Sequence, residues 1–257
     1  MGDYTEIRRP QDPYCYDDTN VLINKQGIRD RELLGKIEAA YACIAMHEIC
    51  LSPIEGAYDF DHLCKFHDYL FKDVYSWAGT PRTTAIMKRE EILEHDSVEY
   101  AHPLEIVDSA KDILNQMNSR EWKKMSLDEQ AAHLASDMAK LWKVHPFREG
   151  NTRTMIAFTC QFAESKGMLI DRSIFVETAG FARSSLVLAC AKGKYSIPSS
   201  LRNIVKFSLE EGLKKNKNQQ QKMSMGDWKS QISRMKENNN SKKGEQNTKM
   251  KNAKDER

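Results

Sequence analysis

The sequence predicts a mainly α-helical fold carrying one small β-hairpin. Apolar residues recur at three- and four-residue spacing over most of the chain, which is the period of one helix face. Glycine and proline number only 12 and 7 among 257 residues, so few breaks interrupt those runs. Ser126-Leu-Asp-Glu129 forms a capping box, in which the serine and glutamate satisfy each other's backbone N–H groups at a helix start.

Residues 1–20, with Pro10, Pro13 and several aspartates, read as an irregular N-terminal arm, and 21–213 as one main domain. Leu33, Leu34, Ile37, Tyr41, Ile44 and Cys50 predict a helix from Ile28 to Leu51, ended by Ser52-Pro53. Leu63, Phe66, Leu70, Val74 and Trp77 predict another over Asp61–Trp77, stopped by Gly79-Thr80-Pro81. Between Arg82 and Tyr100, strand formers Thr83, Thr84, Ile86, Val98 and Tyr100 flank a charged centre at Lys88–Asp96, the pattern of a hairpin. Helical spacing returns over Pro103–Asn118. After the capping box it carries Leu134, Met138, Leu141 and Trp142 up to His145, where Pro146 pushes the preceding residue out of the helix. A helix restarts near Thr152 and runs to Gly167, and further helices cover Ser173–Ala191 and Ser199–Lys214.

Composition excludes several classes. With 40% hydrophobic and 30% charged residues the chain suits a folded globule rather than a disordered or fibrous one. Its most apolar stretches, Ile44–Leu51 and Ser185–Ala191, fall short of the roughly 20 residues a bilayer span needs. No secretory signal is expected from Asp3, Glu6, Arg8 and Arg9, so the expected location is the cytoplasm. Six cysteines show neither a CxxC pair nor zinc-ligand spacing, and read as free buried thiols. From Lys214 onward 13 Lys+Arg face 5 Asp+Glu, so 214–257 is a basic, flexible tail. It lacks the interleaved aromatics of a nucleic-acid binder, and neither nucleic acid nor membrane is an expected partner.

The candidate chemistry lies in the loop 145–153, His145-Pro-Phe-Arg-Glu149-Gly150-Asn151-Thr152-Arg153, between two amphipathic helices. A glycine turn opening a helix aims unpaired N–H groups and the positive end of the helix dipole at one spot, which suits phosphate. Arg153 adds a charged fork, and Glu149 is a hard oxygen ligand for a Mg²⁺ bridging phosphates. His145, neutral near pH 7, can take a proton from an attacking hydroxyl. Singly each residue has a structural explanation; together within nine positions they point to a phosphate site with a base and a metal ligand at hand.

The segment resembles the Fic signature HxFx[D/E]GNGRxxR at His145, Phe147, Glu149, Gly150, Asn151 and Arg153. Asp59-Phe-Asp-His-Leu63, His67, Leu70-Phe-Lys-Asp-Val-Tyr75 and Trp77-Ala-Gly79 look like the helix before that family's flap, extending the resemblance over roughly Ser52 to Gly212. The resemblance implies a Fic-type helical bundle that transfers AMP from ATP, with Mg²⁺, to a Ser, Thr or Tyr hydroxyl of a protein target. Self-modification and homo-oligomer formation are further expectations. His145 would be the catalytic base and Glu149 the metal ligand. Phe147 would hold the loop, and Gly150, Asn151, Thr152 and Arg153 would form the anion cradle, with Phe181 stacking on adenine. The hairpin at 82–100 would be the flap, its Thr83, Thr84, Ala85 and Ile86 aligning the target by strand addition. Two residues depart from the signature: Thr152 replaces its second glycine and Ile156 its second arginine, which in the family grips the γ-phosphate.

Many relatives of this type carry an inhibitory [S/T]xxxE[G/N] helix whose glutamate intrudes on the γ-phosphate position. Here only Ser233-Arg-Met-Lys-Glu237-Asn238 fits, since Glu55-Gly56 has Leu51 and Glu211-Gly212 has Phe207 at the Ser/Thr place. Asp227 can cap a tail helix over about 227–238, placing Trp228, Ile232 and Met235 on one face. Glu237 is thus expected to inhibit in cis, with Arg153 as a candidate pairing partner. Transfer of another phosphate-linked group, removal of AMP, and a non-catalytic interaction module remain open alternatives.

Overall fold

The structure, a computed structural model, describes residues 12–17, 19–220 and 222. The chain forms two compact units, Met1–Glu210 and Glu211–Arg257. The described part of the second is helical at 211–220. Ser233, Glu237, Asn238 and the expected tail helix 227–238 lie outside the described residues.

The first unit is helical, as expected. Its elements are α1 (Arg31–Leu51), α2 (Phe60–Phe71), α3 (Ile106–Ser119), α4 (Leu127–Val144), α5 (Asn151–Ser165), α6 (Ser173–Glu177), α7 (Ala179–Cys190) and α8 (198–210). Helix α5 is buried at every position from Thr154 to Ala163, because its sequence there is apolar or small on all faces except at Gln161, whose amide pairs with the Ile54 backbone. Helices α2 and α4 pack against it, α1 against α2, and α3 and α7 against α4. The capping box at Ser126 starts α4 with both reciprocal bonds formed.

Several expectations need correction. Helix α1 begins at Arg31, capped by Asp30, and buries Leu34, Glu38, Ala42, Ala45 and Ile49, of which only Leu34 belongs to the stripe read from the sequence. Leu33, Tyr41 and Ile44 are exposed. Helix α2 stops at Phe71, six residues before Trp77, where the chain enters tight turns. The span 173–191 is two helices rather than one. All six cysteines are free, but Cys43 and Cys50 are exposed and Cys64 is half-buried.

The hairpin is also corrected. Among the described residues no strand forms between 82 and 100; a single antiparallel bridge joins Arg89 to Ser97, around a short 3₁₀ turn at Glu91–Leu93. Residues 82–90 alternate between inward and outward positions, but the backbone of 85–88 makes no hydrogen bond to the described residues. Strand formers supplied the alternation, while a ladder needs a partner backbone that this segment does not meet. Among the described residues, no helix is long and apolar enough to cross a membrane.

Candidate active site

His145 ends α4 as its C-cap in a left-handed conformation, φ 52° and ψ 58°, with its N–H still bonded back to Leu141. Such a backbone is rare for a residue with a side chain and persists only where its surroundings hold it. Arg82 supplies much of that hold. Its guanidinium, 2% exposed, donates from Nε to the His145 carbonyl at 2.8 Å and from Nη2 to Val144 at 3.4 Å. The same group reaches the Thr84 carbonyl at 2.7 Å and the Ala101 carbonyl at 2.5 Å. One side chain thus binds both ends of the segment 84–101 to the end of α4.

The His145 ring is defined on both nitrogens. Nδ1 lies 3.1 Å from the Trp142 carbonyl, an acceptor, so Nδ1 carries the proton and donates. Nε2 is then a bare lone pair, buried and without a hydrogen-bond partner among the described residues. Tyr100 stacks on the ring with centroids 4.0 Å apart. Burial foremost, and then the positive charge of Lys88, hold the imidazole's pKa well below the ordinary histidine value, so it is neutral at pH 7.

The loop between His145 and α5 is stapled from inside. Asn151 accepts from the Phe147 N–H at 2.9 Å and donates to the Phe147 carbonyl at 2.7 Å, so its amide is engaged within the loop. Phe147 is fully buried and stacks on His67 with centroids 3.8 Å apart. His67 accepts from the Gly79 N–H at Nδ1, 2.8 Å, which leaves Nε2 to donate to the Glu149 carbonyl at 3.0 Å. Gly150 has φ +81°, and a Cβ there would overlap the Phe71 ring, so this position requires glycine. Thr152, where the signature has glycine, is an ordinary helical residue of α5 whose hydroxyl accepts from the Trp142 indole at 2.9 Å.

The loop faces a cleft of about 880 Å³, whose walls include Glu38 of α1, Ala85, Ile86 and Lys88 of the flap, and Arg148 and Glu149. Glu149 accepts from Lys88 Nζ at 2.9 Å and from the Gly150 N–H at 3.0 Å. Burial raises its carboxyl, but Lys88 and that N–H outweigh burial and bring it down to about 2. Arg153 pairs with Glu38, which also accepts from the Tyr75 hydroxyl, and lies over Phe71 at 4.8 Å. Among the described residues no cluster of three or more His, Cys, Asp or Glu could hold a metal alone. Glu149 therefore fits a cation that arrives on phosphate oxygens, the usual situation of Mg²⁺, and does not fit a resident metal.

The structure gathers Glu149, Ala85 and Ile86 at the cleft and sets Gly150 and Arg153 beside it, while His145 lies beneath Tyr100. Thr83 is exposed and bonded to Tyr14, and Thr84 is half-buried. Phe181 is 56% exposed on α7 and does not line the cleft. Ile156 is 7% exposed within the apolar core. Sequence reasoning missed the roles of Glu38, Arg82 and Lys88. Glu38 is one of three glutamates in α1 and carried no signal of its own, and the other two are ordinary cations until the fold supplies their partners.

The Fic/DOC family model matches residues 57–163. Protein adenylyltransferase VbhT of Bartonella schoenbuchensis is 36% identical over 202 residues, a match covering 77% of this chain and 40% of VbhT. The chain thus spans well under half the length of that relative. The "Probable protein adenylyltransferase Fic" of Salmonella typhimurium is 26% identical over 204 residues, covering 78% of this chain and 94% of that protein. Among solved structures, the N-terminal Fic domain of a VirB-translocated Bep effector from Bartonella quintana, with bound ADP, superposes with TM-score 0.64 at 22% identity, over 76% of this chain and 93% of that one. That likeness establishes the fold. With the family match it gives one conclusion: residues 57–163 of the chain form a Fic/DOC family domain.

Proposed function

We propose that the chain is a protein adenylyltransferase that moves AMP from ATP to a Ser, Thr or Tyr hydroxyl of a protein target. The observation that carries this reading is the His145 ring, with its proton fixed on Nδ1 by Trp142 and a bare, unpartnered Nε2. A neutral imidazole held so is a general base awaiting a proton. In the reaction, Nε2 takes the hydroxyl proton as the oxygen attacks the α-phosphorus; the bond from that phosphorus to the α–β bridging oxygen breaks, and pyrophosphate leaves. The Gly150 turn at the start of α5 aligns the polyphosphate. Magnesium held at Glu149 would neutralise phosphate charge.

The relatives named adenylyltransferases and the ADP-bound fold neighbour support the choice of donor. The backbone of 85–88, on the cleft wall and without a hydrogen bond to the described residues, supports docking of a target segment by strand addition. Restraint by Glu237 is the remaining part of the proposal and rests on the Ser233-x₃-Glu237-Asn238 pattern alone. Because Arg153 already pairs with Glu38, Glu237 would act at the phosphate position rather than on Arg153.

The test is transfer of α-labelled ATP to protein in a cell lysate, and to the chain itself, by the wild type, Glu237→Gly and His145→Ala. His145→Ala is expected to lower labelling about 10²- to 10⁴-fold. Equal labelling by His145→Ala, or an added mass other than AMP, overturns the reading; equal labelling by wild type and Glu237→Gly removes the restraint alone.

A further inference from the structure

We infer that Lys88, on the flap, is a donor-binding residue: its ammonium takes the polyphosphate end of the nucleotide, the task left open where Ile156 replaces an arginine. This rests on the nucleotidyl-transfer reading above.

The argument begins with what the cleft's cations already hold. Arg148 is forked onto Asp12, with Nε at 3.0 Å and Nη2 at 2.5 Å from one oxygen. Arg183 is forked onto Glu90, at 2.7 and 2.9 Å. Arg153 pairs with Glu38 and lies over Phe71. Each of these guanidiniums is fixed by two contacts, and the Glu38 and Glu90 carboxylates are buried, so removing a partner would leave a buried charge. Ile156 sits in the apolar core and offers no cation.

Lys88 differs on each count. Among the described residues it makes one hydrogen bond, Nζ to Glu149 Oε2 at 2.9 Å, with both side chains part-exposed at 26% and 33%. Its backbone belongs to the unbonded segment 85–88, so the ammonium can shift without breaking a ladder. Its present partner is the carboxylate placed to receive the donor's counter-cation. A donor bringing that cation gives Glu149 a new partner and leaves the Lys88 ammonium beside phosphate oxygens, a favourable exchange. Arg31 and Arg89 also line the cleft, but neither bonds to the loop.

Calorimetry on the full chain with magnesium, using a non-hydrolysable ATP analogue and separately AMP, tests this for the wild type, Lys88→Met, Lys88→Arg and Arg89→Met. Lys88→Met is expected to weaken the triphosphate analogue roughly 10- to 100-fold, the worth of one charged hydrogen bond, and to leave AMP within about threefold. Lys88→Arg should recover most of the loss and Arg89→Met should show little. Equal or tighter analogue binding by Lys88→Met, or an equal loss of AMP binding, overturns the assignment while the wild type's binding upholds the nucleotide site itself. A wild type that binds neither ligand overturns both. Should Lys88→Met not fold, amine labelling of the wild type decides: protection of Lys88 by the analogue and not by AMP is expected, and equal labelling with either ligand overturns the assignment.

Discussion

The Trp142 indole donates its Nε1–H to the Thr152 hydroxyl at 2.9 Å, tying the last turn of α4 to the first turn of α5 across the loop. Trp142 is fully buried, so its N–H has no water to turn to. The departure from the family signature at Thr152 is therefore a structural exchange: the backbone there is helical, glycine is not required, and a hydroxyl closes the loop.

Thr152→Val keeps the shape and removes the acceptor, leaving a buried donor unpaired at a cost of about 1–3 kcal/mol. Thr152→Ser should retain most of the stability. Urea unfolding of both variants checks this, and equal stability of Val and wild type would refute the role of the bond.

Gly150→Ala places a methyl into the Phe71 ring at a φ of +81°. Overpacking and left-handed strain together predict a loss of about 2 to 6 kcal/mol. Adding Phe71→Leu should return the packing part and leave the backbone part, so the double variant is expected to be more stable than Gly150→Ala alone in thermal unfolding.

The elements that hold this loop differ in how well the sequence announces them. Ser126, Glu129 and Pro146 act through their immediate neighbours, so the start of α4 and the exit of His145 from the helix were legible. The loop residues were legible because their chemistry is compressed into nine positions. The end of α2 was not, since Val74 and Trp77 continue the apolar period while reaching the core through turns, with Trp77 stacked on Tyr75 at 4.3 Å. The inward face of α1 was hidden for the opposite reason: it turns on Glu38, whose burial depends on Arg153 and Tyr75 far along the chain. Arg82 was unreadable because its acceptors are backbone carbonyls, which every residue has.

His67 predicts a pH dependence of stability. Burial, and beyond it the charge of Arg153, lower its pKa from 6.5 to about 3 even though its bond to the Glu149 carbonyl works the other way. The folded value lies below the unfolded one, so the unfolded chain binds the proton first and stability falls as pH drops below about 6.5. By pH 5 the loss from this one residue is about 2 kcal/mol. In His67→Gln the amide can donate to Glu149 and accept from Gly79 without titrating, so the drop between pH 7 and pH 5 should shrink by about that amount. Chemical denaturation at the two pH values measures it; an unchanged drop would show that His67 is not held neutral in the folded chain.

Arg82 predicts coupling between segment 82–101 and His145, the proposed base. Its guanidinium is buried, faces carbonyls of Thr84, Ala101, Val144 and His145, and has a lowered pKa from burial. Those carbonyls include the last of α4, where the negative end of the helix dipole favours a cation. Arg82→Met leaves several acceptors unpaired and should destabilise the chain by about 3 kcal/mol. Arg82→Lys keeps the charge but cannot span four acceptors, so it should fall between the two. A role confined to stability would speed amide exchange everywhere in proportion. A staple between flap and base should instead speed it selectively at 84–101 and 142–147, with kcat falling more than KM rises, because the left-handed backbone of His145 loses the contact that keeps its Nε2 on station. Uniform exchange in Arg82→Lys would reduce Arg82 to an ordinary core residue.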